Sequence, residues 1–166
     1  MASLLFSVLF FVAIVFHVFT IALLLLFGTV ADALDGAVAR YANKTSPFGA
    51  LLDATVDRIS DAILISSFSF ASLVRWEITI PLLVTTFLIS YIRARGEFLF
   101  HLNMEGIGFM ERTERLIGIG IAVVTAIIST KKIYTLSLPE WVFLAILFLS
   151  VVTCVQRMHL LWKKTV

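Results

Sequence analysis

Four aspartates, Asp32, Asp35, Asp53 and Asp57, stand in or beside segments otherwise apolar enough to be membrane helices. No other feature restricts the fold so much. A charged side chain at membrane depth costs roughly 3 kcal/mol on insertion scales unless something binds it. Carboxylates held close together also repel one another. The economical explanation is a multivalent cation held between two helices.

The spacing supports this. Asp32 and Asp35 lie three apart, and Asp53 and Asp57 four apart. Residues three or four apart share one face of a helix, so each helix offers a carboxylate pair. Hard oxygen ligands select Mg²⁺, Mn²⁺ or Ca²⁺ over softer metals. Gly36 removes a side chain beside Asp35 and lets a ligand or backbone come close. Arg40 lies five after Asp35, within reach of an anion held by the metal, and a guanidinium suits phosphate. A polar helix pair buried in a bundle, or an ion pathway, would share the acids without requiring the glycine and the arginine.

Composition agrees with a membrane protein. The chain is 166 residues, 60% hydrophobic, with a mean hydropathy of +1.04. Soluble proteins average about 45–50% apolar residues. A formal net charge of +2 says little about partners, and no nucleic-acid partner is expected. Cys154 is the sole cysteine, so no intrachain disulfide forms, and its apolar run makes it a packing residue. The sequence has no CxxC or HExxH pattern, no Walker loop and no GxGxxG. Residues 1–28 carry no acid, lysine or arginine and lack the marks of a secretory signal, so they read as mature membrane structure.

A span needs about 20 apolar residues. The expected fold is an all-α integral membrane protein, a single domain over residues 1–166 built as a six-helix transmembrane bundle. The pattern predicts a partial first helix near 2–15, a turn around His17, and a second helix over about 18–42. Residues 43–47 are turn chemistry, with Ser46-Pro47 starting a third helix over about 47–73. A fourth is expected over about 78–102, a loop over 103–110, a fifth helix over about 111–130, a loop containing Pro139, and a sixth over about 140–161. Trp76, Trp141 and Trp162 fall near predicted interfaces. Counting crossings puts Arg40, Lys44, Arg93, Arg95, Arg112, Arg115, Lys163 and Lys164 on one side. Arg75, Lys131 and Lys132 fall on the other, so the first side is cytoplasmic.

The string Asp32-x2-Asp35-Gly36-x2-Ala39-Arg40-x8-Gly49-x3-Asp53-x3-Asp57 resembles the CDP-alcohol phosphotransferase signature at every fixed position. The resemblance implies an enzyme that transfers a phosphatidyl-type group from a CDP-lipid to an alcohol, releasing CMP in phospholipid biosynthesis. It implies Asp32, Asp35, Asp53 and Asp57 as ligands of two Mg²⁺ ions, with Mn²⁺ as the substitute, and Asp57 also as the general base. Asp32, Gly36, Ala39 and Arg40 would bind the CDP end. It further implies a homodimer among membrane lipids, in the cell membrane, with the site facing the cytoplasm where nucleotides are. Family members carry a complete first span with a Pro-Asn-x-x-Thr element, which is absent here, so the first helix is expected to be truncated relative to theirs.

The acceptor is read from two basic clusters, 90–97 and 111–115. If their helices face each other, Arg93, Arg95, Arg112 and Arg115 form an anion pocket beside the metals, as a phosphorylated alcohol requires. The bland reading is interfacial charge, with Glu97, Glu111 and Glu114 completing salt bridges. The Tyr-x-x-Ala-Arg-x-Glu and Glu-Arg-x-x-Arg patterns look like those of phosphatidylinositol phosphate and archaetidylinositol phosphate synthases, which implies inositol 1-phosphate as acceptor. Glycerol phosphate is the alternative acceptor, and a divalent-cation carrier the alternative of a different class. Asp61 continues the acidic face one turn on, with a helix–helix role favoured over a direct one. His17, His101 and His159 read as turn or interface residues.

Overall fold

The computed structural model describes residues 2–29, 46–104, 106–128, 132–133 and 135–164. Helix α1 spans Ala2–Val15 and α2 is described over Phe19–Thr29. Between them His17 takes a left-handed φ of 57°, which reverses the chain where the sequence predicts a turn. Helix α3 spans Pro47–Phe70 and begins at the expected place. Ser46 caps it by accepting a hydrogen bond from the Gly49 N–H, and proline in the first turn loses no helical bond.

Other boundaries differ from expectation. The third helix ends at Phe70 rather than near 73, because Ser72 turns left-handed and the Leu73 N–H bonds back to the Phe68 carbonyl. Helix α4 spans Trp76–Phe100, α5 spans Arg112–Ile128 and α6 spans Leu138–Lys163. Pro139 therefore belongs to the first turn of α6, not to a loop. Ser137 is its cap, bonded reciprocally with Glu140, an arrangement that satisfies two otherwise orphaned N–H groups. A two-residue antiparallel ladder, Lys132–Ile133 with Leu136–Ser137, joins α5 to α6 and was not expected.

The helices alternate direction. At one end lie the start of α3, the end of α4, the start of α5 and the end of α6. At the far end Ser137 donates to the Leu73 carbonyl at 3.1 Å, and Arg75 meets Glu140 at 2.8 Å. Toward that far end Phe68 packs against Phe10 and Phe143, tying α1, α3 and α6 together in the core. Helices α5 and α6 pack closely because Gly118 has no side chain: a Cβ there would lie 2.7 Å from the Ile146 Cδ1. Among the described residues, α4 and α6 are long and apolar enough to cross a membrane. Helix α3 is about 36 Å long at 1.5 Å per residue, but carries Asp53, Asp57, Arg58 and Asp61.

Candidate active site

Asp53, Asp57 and Asp61 recur every four residues along α3 and so form one acidic stripe. The opening turn of α5 offers Arg112 and Arg115, three apart and also on one face. The two stripes meet as a seam. Arg112 Nη1 lies 2.6 Å from Asp57 Oδ1, and its Nε lies 3.7 Å from Asp61 Oδ1. Arg115 Nη2 lies 2.5 Å from Asp61 Oδ2, with both side chains 3% exposed. That second pair is a buried strut between α3 and α5, the role sequence reasoning favours for Asp61. A pair so placed is costly to form and costlier to break, since removing one partner strands a buried charge.

The seam is not saturated. Among the described residues, Arg112 Nε and Nη2 and Arg115 Nε and Nη1 are buried and make no hydrogen bond, and neither does Asp61 Oδ1. Unpaired buried donors cost about 1–3 kcal/mol each, more when charged. Four guanidinium nitrogens in that state suit an oxyanion, which accepts several such bonds at once.

The structure brings Arg112 to Asp57 and Arg115 to Asp61, and Asp53 sits one turn before Asp57 on the same helix. Arg93 pairs with Glu97 one turn on along α4, and Glu97 also accepts from the Met104 N–H. Arg95 is exposed, its guanidinium 5.4 Å from the centre of the Phe98 ring. Gly49 is in the first turn of α3. Asp32, Asp35, Gly36, Ala39 and Arg40 lie outside the described residues. The carboxylates that are described are hard oxygen donors, and their chemistry fits a hard divalent cation.

One residue that sequence reasoning passed over organises this end. Arg157 of α6 is 1% exposed. Its Nη1 donates to the Ile89 carbonyl of α4 at 2.9 Å, its Nε to the Ile107 carbonyl at 2.8 Å, and its Nη2 to Glu111 at 2.7 Å. Glu111 also accepts from the Gly106 N–H. One turn earlier, the Thr153 hydroxyl accepts from the Phe109 and Met110 N–H groups and donates to the Leu149 carbonyl. Helix α6 thus holds the loop that delivers Arg112 to the seam. The available signal was a lone arginine in an apolar run, which is costly in a membrane unless it has partners.

A family model for CDP-alcohol phosphatidyltransferase matches residues 1–108. The chain is 39% identical over 122 residues to an archaetidylinositol phosphate synthase of Pyrococcus horikoshii, covering 72% of this chain and 63% of that one. It is 38% identical over 136 residues to the Aeropyrum pernix protein of that name, covering 82% and 66%. To a phosphatidylinositol phosphate synthase of Mycobacterium tuberculosis it is 41% identical, covering 79% and 61%. The chain therefore spans just under two thirds of the length of these relatives. Solved structures of the Mycobacterium tuberculosis enzyme share the fold. The one with CDP-DAG bound matches at TM-score 0.67 and 31% identity, covering 98% of this chain and 87% of that one. The one with manganese and citrate matches at 0.67 and 32%, covering 97% and 77%. With the all-helical fold and the acidic stripe of α3 in place, the family match over residues 1–108 settles the assignment: the chain belongs to the CDP-alcohol phosphatidyltransferase family.

Proposed function

We propose that this chain is a divalent-metal-dependent transferase that moves a phosphatidyl-type group from a CDP-lipid to inositol 1-phosphate. The observation that carries this reading is the seam: carboxylates on α3 faced by arginines with unused buried donors. Metal-binding acids and an oxyanion site side by side are what a diphosphate donor and a phosphorylated acceptor need. The relatives' names, inositol phosphate synthases of two lipid types, support the same acceptor.

In this reading Asp32, Asp35, Asp53 and Asp57 hold two Mg²⁺ or Mn²⁺ ions, and the manganese in the relative's structure supports a divalent ion. The ions supply charge neutralisation at the donor diphosphate. Gly36, Ala39 and Arg40 bind the CMP end with Asp32. Asp57 takes the proton of the acceptor hydroxyl as that oxygen bonds to the β-phosphorus and CMP leaves. Arg112 holds the acceptor phosphate, while the Asp61–Arg115 strut fixes the approach of α5 to α3. The protein is a six-span bundle and a single domain over residues 1–166. It lies in the cell membrane as a homodimer with its site toward the cytoplasm.

The test is CMP release by purified protein in lipid with Mg²⁺, CDP-diacylglycerol or CDP-archaeol, and inositol 1-phosphate, glycerol 3-phosphate or free inositol. Release that depends on metal and is fastest with inositol 1-phosphate is expected. Cation flux through vesicles without CMP release would overturn the reading in favour of a carrier.

A further inference from the structure

Arg112 is held from both sides. Three residues after it, Arg115 is anchored to Asp61 in the interior. Two and three residues before it, the Met110 and Phe109 N–H groups both donate to the Thr153 hydroxyl of α6, at 3.0 and 3.1 Å. That hydroxyl donates in turn to the Leu149 carbonyl at 2.9 Å. A hydroxyl has one proton and two lone pairs, so its capacity is fully used and its oxygen is fixed. Thr153 and Met110 are both buried. The methyl of Thr153 lies against Gly108, where a Cβ would collide with it. Arg157 also holds the loop, but it grips α4 as well. Among the described residues, the hydrogen bonds of Thr153 outside its own helix go only to Phe109 and Met110.

We propose that Thr153 is a positioning residue for acceptor recognition: it sets where Arg112 presents its guanidinium to the acceptor phosphate. The inference rests on the reading of Arg112 as the ligand of that phosphate. Only Glu111 separates the anchored Met110 from Arg112, so a shift of the loop passes almost directly to Arg112. The Arg112–Asp57 pair is the more open of the two in the seam, where solvent weakens it, so the placement of Arg112 falls to the anchors on either side. Valine at position 153 would keep the shape and remove the oxygen. Two N–H groups would then lack an acceptor, and the loop would have to turn to find others. A guanidinium displaced by about an ångström keeps its charge but loses the geometry of its bond to phosphate. The phosphate is held away from the reacting hydroxyl, in ground state and transition state alike, so the loss falls on acceptor KM and spares kcat. Lowered stability alone does the reverse: it thins the folded fraction and lowers apparent kcat at an unchanged KM.

The experiment compares the full chain in lipid with its T153V, T153S, R112Q and T153V/R112Q variants. Initial rates of CMP release are taken with Mg²⁺, CDP-diacylglycerol or CDP-archaeol, and inositol 1-phosphate, each substrate varied while the other saturates. T153V should raise the acceptor KM about fivefold, short of the roughly tenfold of R112Q, and leave kcat and the CDP-lipid KM within about twofold. T153S keeps the oxygen and should stay within about twofold of the parent throughout. T153V/R112Q should show the acceptor KM of R112Q alone, because Thr153 acts through that side chain. Thr153→Cys, whose sulfur is a weak acceptor, carries the same test at a smaller amplitude should T153V not fold. A T153V variant whose kcat falls at an unchanged acceptor KM overturns the proposal, as does T153S impaired as much as T153V. Fold-changes that multiply in the double variant overturn it too. A parent that releases no CMP fails the reaction reading instead. The same proteins are then compared by the rise in Tm with inositol 1-phosphate, where T153V should need about fivefold more ligand for an equal rise. An equal requirement in T153V and the parent, or a parent with no rise at all, overturns the positioning role.

Discussion

Replacing Arg157 with methionine keeps the stem and removes the guanidinium. Three acceptors then each lose a donor: the Ile89 and Ile107 carbonyls and the Glu111 carboxylate. Breaking a buried ion pair costs about 3–5 kcal/mol. Polar contacts within bilayers average only about 0.6 kcal/mol, because the separated helices find other partners there. The burial of Arg157, whose side chain is 2% exposed, argues for the larger scale, while the 25% exposure of Glu111 argues for its lower end. About 3 kcal/mol is therefore expected, or roughly 6–12 °C in Tm for a chain of this size. Arg157→Lys should recover little, since an ammonium cannot serve three acceptors spread over α4 and the loop before α5. Thermal unfolding in detergent, followed by circular dichroism, measures this. A cycle with Glu111→Gln should give a coupling of about 0.5–3 kcal/mol. An Arg157→Met variant melting within about 2 °C of the parent would refute the clasp, and a cycle without coupling would remove Glu111 from it.

On the proposed function, Asp53→Asn should abolish CMP release with little change in Tm, and activity persisting in chelator would refute metal dependence. Asp57→Asn should lower turnover even at saturating Mg²⁺, whereas Asp35→Asn should be partly rescued by excess metal; identical rescue of both would leave Asp57 a ligand only. Arg112→Gln should raise the acceptor KM about tenfold, the effect of 1.4 kcal/mol, and barely alter that of the CDP-lipid. Arg115→Gln should instead lower the Tm, by stranding Asp61 in the interior; a stable Arg115→Gln variant with a raised acceptor KM would reverse these two assignments. Gly108→Ala should destabilise the loop, because its φ of 112° disfavours any side chain and a Cβ would collide with Thr153 Cγ2; an unchanged Tm would refute that.

Local signals placed the helices well and failed where the deciding partner is far along the chain. The start of α3 was legible because Ser46-Pro47 is a cap and a first-turn proline. The start of α6 carries an equally good signature, Ser137-x-x-Glu140, but the sequence pattern puts Pro139 in a loop rather than in the first turn. The acidic face of α3 followed from spacing alone. The partners of Asp61 and Arg157 did not: Arg115 is 54 residues away, and the acceptors of Arg157 are 46, 50 and 68 residues away. Periodicity finds faces, and it cannot say which faces meet. The four arginines expected to act together show this. Arg112 and Arg115 reach the seam, while Arg95 stacks over Phe98 on its own helix.

Thr153 and Arg157 together hold the Phe109 and Met110 N–H groups and the Ile107 carbonyl, so the depth of the 106–110 loop is set by α6 and not by the water above it. Helix α6 has 26 residues and is about 39 Å long, against a hydrocarbon layer of about 30 Å. Such a helix meets a thinner bilayer by tilting. The loop is pinned to its last turns and must move with it, carrying the start of α5. On the proposed bilayer-spanning arrangement, the register between the arginines of α5 and the aspartates of α3 is tied to the thickness of the bilayer, a property of the solvent rather than of the chain.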